Sequence, residues 1–395
     1  MCIAASDGAR MQSRAPEGGD EMADELAMDD YRIGEGGPLR RFEVATHLTR
    51  LHWQIAALLG VTWAPLAALG LWTSDPNALI RDPTVHVRSL IAGPLLLFLD
   101  QLFPSVCRYT LAQLRDKAFV PSTDRPRFER LLGGACRLAD STAPEAMLAL
   151  ISLGVGVAAL AGLVPESRLT ASAGVAPDRV WYALCDLPVF QFLLWRSFWR
   201  WAIWVGVLAG LSRIDLDLVP THPDLRGGIR FLSLPSIGYC AALLFVASSL
   251  LCAEWGTRRT LGATLASFKP LLLVFATGGT LIAFGPLLLF MPQLFRARHR
   301  GILEMSSLSI DCGRRLRSAL NDRARVVRND DVHALASAEQ TYRQTVKQLS
   351  LFLFDKRDLG LLLAATLLPL VPVMLLHIPR EDWEELAILV MGWVP

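Results

Sequence analysis

Two arginines lie near the middle of an apolar segment that is long enough to cross a lipid bilayer. The segment covers residues 187–211, LPVFQFLLWRSFWRWAIWVGVLAGL, and the arginines are Arg196 and Arg200. Because they are four residues apart, they share one helix face. A guanidinium at the centre of a membrane helix costs about 2.5–3.5 kcal/mol. The spacing therefore predicts an anion site or a gate inside the protein. A structural ion pair and snorkelling in a tilted helix are the alternatives.

Carboxylates near this segment are the expected partners of the two guanidiniums. Asp100 is the first candidate because it stands in an otherwise apolar run, and Asp186, directly before the segment, is the second. Four indoles surround the arginines in sequence: Trp195, Trp199, Trp201 and Trp204. Indole faces hold guanidinium groups by cation–π contacts worth about 0.5–2 kcal/mol, although clustered tryptophans more often pack or form an interface belt. The predicted solute-binding residues are Arg196, Arg200, Asp100 and Trp199.

A polar loop, DLDLVPTHPDLRGG, follows the arginine-bearing segment and contains Asp215, Asp217, His222 and Asp224. Three carboxylates and an imidazole are plausible ligands for a divalent metal ion. His222 and Asp224 also form a possible acid–base pair for catalysis.

The same loop has a purely structural interpretation. Pro220 and Pro223 bracket Thr221 and His222, and the loop ends in Gly227-Gly228. Prolines, glycines and aspartates that cap backbone amides are typical of a rigid turn. The sequence leaves both interpretations open, and it predicts no cofactor.

Composition restricts the class of protein. The chain has 395 residues, of which 52% are hydrophobic, and its formal net charge is +2. Its mean hydropathy is +0.37. The small net charge argues against a nucleic-acid partner. The sequence contains no GxxxxGK[ST], HExxH, GxSxG or CxxC motif, so ATP-driven transport by this chain alone is not expected.

Seven apolar runs match the roughly 20 residues that cross about 30 Å of hydrocarbon. They cover residues 54–73, 85–106, 145–165, 187–211, 234–255, 270–294 and 359–378. The expected fold is an all-α polytopic membrane bundle of about seven transmembrane helices with cytoplasmic helical extensions. The predicted divisions are a disordered acidic tail (1–38), transmembrane helices 1–2 (39–106), a cytoplasmic helical segment (107–144), transmembrane helices 3–6 (145–294), a cytoplasmic helical hairpin (295–358), and transmembrane helix 7 with an interfacial C-terminal helix (359–395).

Lysine and arginine concentrate in the loops 107–144 and 295–358. Basic loops stay on the cytoplasmic side, so we expect a cytoplasmic N-terminus. Arginine far exceeds lysine, which suggests a GC-rich bacterial genome and therefore the bacterial inner membrane. The expected partners are the lipid bilayer, a small anion and, as a possibility, further copies of the chain.

Two of the spans resemble each other. Span two contains LIAGPLLLFLDQLF from Leu90, and span six contains LIAFGPLLLFMPQLF from Leu281. A parallel internal repeat of spans 1–3 and 5–7 would explain this match, and coincidence between leucine-rich spans is the alternative. The shared Gly-Pro pairs, Gly93-Pro94 and Gly285-Pro286, predict kinks or local unwinding in both spans.

Two further stretches carry a resemblance to a known group. They are DLDLVPTHPD with the glycines that follow it, and LFDKRDLGLLLAATLLPLVPVMLL from Leu353, preceded by VHALASAEQTYRQTV. The chain resembles a family of bacterial multipass inner-membrane proteins from about residue 40 to its end. The resemblance implies a membrane fold and brings no substrate, cofactor or catalytic residue with it.

Three functions follow from these features. The first is passage or binding of a small anionic solute, with Arg196 and Arg200 binding its charge and Asp100 as a gating or proton-coupled partner. It predicts a water-accessible cavity at the arginines. The second is a membrane enzyme, which predicts that His222 converges with two aspartates of its loop. The third is a non-catalytic signalling or assembly protein, which predicts a broad exposed apolar or charged face on the cytoplasmic hairpin.

Overall fold

The computed structural model describes residues 50–72, 82–116, 119–163, 176–259, 265–321, 340 and 346–375. Throughout these ranges the regular secondary structure is helical, without strands. The predicted acidic tail and the predicted interfacial C-terminal helix lie outside the described residues, as does most of the second half of the predicted cytoplasmic hairpin.

The described ranges contain thirteen α-helices. They are α1 (Leu51–Val61), α2 (Trp63–Trp72), α3 (Pro83–His86), α4 (Gly93–Asp116), α5 (Arg125–Ala139), α6 (Thr142–Leu160), α7 (Pro177–Trp181), α8 (Leu187–Leu211), α9 (Ser233–Arg259), α10 (Leu265–Leu288), α11 (Met291–Asn321), α12 (Lys356–Leu367) and α13 (Leu370–Leu375). A π-helical turn (Val87–Ala92) precedes α4, and another (Tyr182–Asp186) precedes α8. A 3-10 turn (Arg230–Leu232) precedes α9.

Several helical stretches are long and apolar enough to cross a membrane. Four qualify individually: Leu51–Trp72, Pro83–Arg115, Arg125–Leu160 and Arg230–Gly256. The number of candidate spans is five if Leu273–Leu288 and Met291–Asp311, which are bent by 47° relative to each other, are counted as one broken span. These are helices expected of an integral membrane protein.

The described residues contain fewer candidate spans than the seven that the sequence predicts. The helix α8 is not among the qualifying stretches, and its two arginines and four tryptophans lower its hydropathy. The helix α12 has only 12 residues, and predicted span seven continues past residue 375, where the description ends. The seven-span topology therefore stays a prediction.

The outside of the bundle is apolar. On α10, for example, the side chains of Leu273 and Leu281 are 66% and 72% exposed. Soluble proteins rarely expose broad contiguous apolar surfaces, whereas lipid chains solvate them. The exposed apolar faces agree with a bilayer around the helices.

The buried centre is formed by α4, α8 and α9. The helix α4 packs against both α8 and α9, while α8 also packs against α5 and α6. Buried residues of α8 recur every three or four positions, at Leu193, Ser197, Arg200, Trp204, Leu208 and Leu211. This period places one continuous helix face against the bundle interior, and both arginines belong to that face.

The two Gly-Pro pairs have different surroundings. Before Pro94 the helix forms a π turn, in which Gly93 donates its backbone N–H to the carbonyl of Arg88, five residues back. A Cβ at Gly93 would lie 2.9 Å from Leu58, whereas Gly285 has open space. Helix α10 ends two residues after Pro286. Both spans are thus interrupted near the pair, as predicted, but in unlike ways, and the internal repeat stays a prediction.

Candidate functional site

Two arginines and two carboxylates form a closed cluster inside the bundle, which we name the charge quartet: Arg196, Arg200, Asp100 and Glu145. Arg196 donates from Nε to Glu145 Oε1 and from Nη1 to Asp100 Oδ2, both at 3.0 Å. Arg200 Nη1 lies 2.7 Å from Asp100 Oδ1 and also donates to the Asp100 backbone carbonyl. Asp100 therefore bridges both guanidiniums.

Three helices supply the charge quartet. Asp100 comes from α4, Glu145 from the first turn of α6, and both arginines from one face of α8. The side chains of Arg196 and Arg200 are 2% and 8% exposed, and Asp100 is 11% exposed. Two positive charges are matched by two negative charges, which is the condition under which charged groups tolerate burial.

The sequence predicted part of this cluster. Asp100 is the partner expected for the arginines, and it contacts both of them. The second expected partner, Asp186, lies elsewhere, beside Arg88. Glu145 was not predicted, because a glutamate in the first turn of a helix is ordinarily explained by the helix dipole. The sequence also predicted a water-accessible cavity at Arg196 and Arg200. The structure differs, because both side chains are buried and closed off from solvent.

The tryptophans of α8 mainly pack. Trp204 donates from Nε1 to Ser236 Oγ at 3.0 Å, and Trp201 stacks on Tyr239 at 17° between ring planes. Trp199 is half-buried, and its buried Nε1 has no hydrogen-bond acceptor among the described residues. The packing alternative therefore accounts for Trp201 and Trp204, and Trp199 stays a predicted binding residue.

A second buried polar cluster lies at the start of α4 and α8, where both π turns occur. Asp186 accepts a hydrogen bond from Ser89 Oγ at 2.9 Å and lies 3.8 Å from Arg88 Nη1. Arg88 also donates to the Tyr182 hydroxyl and lies over the rings of Tyr182 and Phe190. Ten residues of helix separate Asp186 from Arg196, or about 15 Å. Buried ionisable groups therefore occur at two depths along α8.

The π turns are a structural feature that the sequence did not predict beyond the Gly-Pro pair. Each contributes side chains to the cluster of Arg88, Ser89, Tyr182 and Asp186. Single π-helical turns are rare and occur frequently at functional sites. They widen the helix locally and leave backbone groups that can rearrange.

In the polar loop, Asp224 acts mainly on the backbone. Its Oδ1 accepts hydrogen bonds from the backbone N–H groups of Arg226 at 2.8 Å and Gly228 at 3.0 Å. Leu225, Gly227 and Gly228 have positive φ angles of 56°, 66° and 91°. The rigid-turn interpretation explains these contacts, because an aspartate that caps several amides holds such a turn.

The predicted ligands of this loop are only partly brought together. His222 Nδ1 lies 2.9 Å from Asp224 Oδ1. Asp215 instead pairs with Arg296 at 3.1 Å, and Asp217 is exposed. Among the residues that the structure describes, no three His, Cys, Asp or Glu side chains are grouped to hold a metal ion.

The two stretches that carry the family resemblance contact each other. Arg226 is buried and donates from Nε to the Phe352 carbonyl at 2.9 Å and from Nη2 to Asp355. Arg230 adds a 2.9 Å ion pair to Asp355, and the Ser350 N–H donates to the Leu225 carbonyl at 2.8 Å. Asp355 also caps the start of α12. Arg226 was not singled out from the sequence, since nothing in a loop of this composition marks one arginine as buried.

Comparisons with protein families, with curated proteins and with solved structures find no match to this chain. The functional argument therefore depends on the geometry of the described residues.

Proposed function

We propose that the protein is a bacterial inner-membrane transporter or channel for a small anionic solute, with a cytoplasmic N-terminus and the charge quartet as its solute-binding centre. One observation carries this proposal: two guanidiniums inside an apolar bundle contact two buried carboxylates of the described residues, and one of these, Asp100, is shared by both.

Stability alone is a poor reason for such a cluster. Replacing a buried ion pair by apolar residues of similar volume is often neutral or stabilising. Ionisable groups inside a membrane are costly and, by default, indicate a functional site. A second buried charged cluster, formed by Arg88 and Asp186 at the starts of α4 and α8, strengthens this argument.

The proposed mechanism starts from the sealed quartet as the closed state. An anionic group of the solute replaces the Asp100 carboxylate, which frees a donor on Arg196 and a donor on Arg200 together. Guanidinium groups suit this exchange because they hold planar anions by paired hydrogen bonds. Trp199, next to Arg200 in α8, lines the opened centre. Glu145 keeps Arg196 in place during the exchange.

The two π turns supply the proposed movement. They lie at the starts of α4 and α8, the helices that carry Asp100 and the arginines. A shift of either turn from π to α geometry would rotate its helix and separate Asp100 from the guanidiniums. In this account the cluster at Arg88 and Asp186 holds the two turns in the closed arrangement.

The test is anion flux in liposomes that contain the purified protein, with chloride, nitrate, acetate and phosphate as probes. Arg200→Gln removes one charged donor, and a charged hydrogen bond is worth about 1.5–3 kcal/mol, so flux of the transported anion falls by about tenfold to a hundredfold. Arg127→Gln is the control, because Arg127 is 70% exposed. Wild-type liposomes that pass none of the four anions faster than empty liposomes contradict the proposal, as does full flux in Arg200→Gln.

A specific observation also favours the assembly function as a second candidate. The 31-residue helix α11 exposes Phe295, Leu303 and Ile310 beside Arg296 and Arg300. This is the exposed mixed face expected of an assembly protein. The measurement is the mass of the particle in lipid nanodiscs: Leu303→Glu reduces an oligomer to a monomer if this face joins copies of the chain.

The enzymatic function has less support, because Asp224 is engaged by backbone amides and, among the described residues of its loop, His222 is the one that lies beside it.

A further inference from the structure

A cavity of about 160 Å³ lies between the loop that follows α8 and the first turns of α11. It is separate from the charge quartet. Its lining consists of Asp215, Leu216, Leu218, Gln293, Arg296, Ala297 and Arg300. The volume is enough for several water molecules or for one small charged group.

The charge of this cavity is positive. Arg296 and Arg300 are four residues apart on α11 and therefore share a face. Asp215 pairs with Arg296, but the two side chains are 81% and 60% exposed, and exposed pairs of this kind contribute little. Within the described part of the chain Arg300 makes no ion pair. Two guanidiniums and one carboxylate leave a net charge of +1 at the cavity.

The wall of the cavity is built around a buried amide. Gln293 is 6% exposed and donates from Nε2 to the carbonyls of Ser212 and Ile214, both at 2.7 Å. Two carbonyl acceptors fix which end of the amide is nitrogen. Oε1 of Gln293 is buried and accepts no hydrogen bond from the described residues. A ligand with a donor next to its anionic group would provide the partner that this oxygen lacks.

The cavity lies at an apolar border. Leu289, Met291 and Phe295 are exposed directly beside it in sequence, and Ser212 and Ile214, whose carbonyls Gln293 contacts, directly follow α8, which is a predicted membrane span. Basic pockets at the membrane surface bind lipid headgroups, and arginine binds phosphate by paired hydrogen bonds. Acyl chains attached to the ligand would lie along the exposed apolar residues.

We propose that this cavity binds the phosphodiester of an anionic membrane phospholipid whose headgroup carries a hydrogen-bond donor. Arg296 and Arg300 hold the phosphate, and Gln293 accepts the headgroup donor. The site anchors the junction of α10 and α11 to the membrane surface beside the end of α8.

The test is native mass spectrometry of the full-length protein released from nanodiscs made of phosphatidylcholine with phosphatidylglycerol. Phosphatidylglycerol combines a net negative charge with a hydroxyl donor, whereas phosphatidylcholine has no net charge and no hydrogen-bond donor in its headgroup. We expect the wild type to retain phosphatidylglycerol. The variant Arg296→Ala/Arg300→Ala should retain about tenfold less, since it loses two charged donors.

A matched control is available on the same helix. Arg314→Ala/Arg317→Ala removes two exposed arginines that do not line the cavity, so it changes the net charge equally and should retain the lipid like the wild type. If the alanine variant aggregates, Arg296→Lys/Arg300→Lys replaces it, because lysine keeps the charge. This variant should retain an intermediate amount of phosphatidylglycerol.

Three results overturn the proposal. Equal lipid retention in the cavity variant and its control shows that the cavity does not hold the lipid. Equal retention of phosphatidylcholine and phosphatidylglycerol shows that neither charge nor the donor is recognised. If the wild type binds millimolar glycerol 3-phosphate or inorganic phosphate but retains no phosphatidylglycerol, the ligand is a soluble phosphate and not a lipid.

Discussion

At the scale of single residues, Asp100 determines the electrostatics of the bundle. Among the described residues it contacts both guanidiniums, whereas Glu145 pairs with Arg196. Removing one partner of a buried ion pair leaves an uncompensated charge, which is far more costly than removing the pair. The two carboxylates should therefore differ in how much they stabilise the folded protein.

Asp100→Asn is expected to destabilise the protein by about 3–5 kcal/mol, the range for breaking a buried pair. Glu145→Gln should cost less, because Arg196 keeps its contact with Asp100. Thermal unfolding in detergent, followed by tryptophan fluorescence, gives the order of the two melting temperatures. A Glu145→Gln variant that melts below Asp100→Asn would show that Asp100 is not the central carboxylate.

Asp100 and the two arginines could be predicted from the sequence because the pattern that marks them lies within single apolar segments. A charged residue inside an apolar run is conspicuous, and a spacing of four defines a face. Glu145 and Arg226 were missed for a physical reason: their burial depends on which distant segments pack against them. A first-turn glutamate and a loop arginine have ordinary explanations until that packing is known.

At the scale of helices, close backbone contact sets the position of α8. A Cβ at Gly156 of α6 would lie 2.1 Å from the carbonyl oxygen of Ala183, in the second π turn. This glycine lets α6 approach the start of α8 and thereby brings Glu145 within reach of Arg196. Small residues at helix contacts in membranes have this effect generally.

Gly156→Ala should therefore destabilise the protein by at least about 1–3 kcal/mol, the cost of overpacking, since the obstacle is backbone. Gly154 provides a control on the same helix, because a Cβ there meets nothing within 4 Å. Gly154→Ala should leave stability unchanged or raise it by up to about 1 kcal/mol. The measurement is the melting temperature of each variant. Equal melting temperatures for Gly156→Ala and Gly154→Ala would contradict the close contact at Gly156.

The contact between the polar loop and the start of α12 is the second prediction at this scale. Arg226→Ala removes hydrogen bonds to Phe352 and Asp355, so the amides of residues 350–355 should exchange hydrogen at least about tenfold faster. Arg230→Ala, which removes one more exposed ion pair, should have a smaller effect. Hydrogen exchange read by mass spectrometry compares the two, and equal protection in both variants would contradict the role of Arg226.

At the scale of the whole molecule, hydropathy predicted an all-helical fold with helices that suit a membrane, which the described residues contain, while the number of seven spans stays a prediction. The helix α8 lies at the centre of the bundle although its arginines keep it below the hydropathy of the other candidates. A central helix is surrounded by protein and does not need a lipid-compatible surface on every side. Apolar content consequently identifies α4 and α9, which share the buried centre, but it does not identify the helix that carries the two arginines.

The proposed topology makes a direct prediction about sidedness. With a cytoplasmic N-terminus, residues 107–144 are inside and the loop after predicted span three is outside. In a cysteine-free background, Ser167→Cys should react with a membrane-impermeant maleimide in intact cells, and Arg127→Cys should react only after lysis. The opposite pattern would invert the orientation.

The most direct test of the charge quartet as a solute-binding centre uses the double variant Glu145→Gln/Arg196→Gln. It removes one charge of each sign, so the remaining pair of Arg200 and Asp100 is still balanced and most of the stability is retained. Anion flux through liposomes is then compared with the wild type at equal melting temperature. The account predicts a folded protein whose flux is reduced by about tenfold to a hundredfold, because one of the two guanidinium donors is lost. A folded double variant with wild-type flux would show that the quartet only holds the helices together.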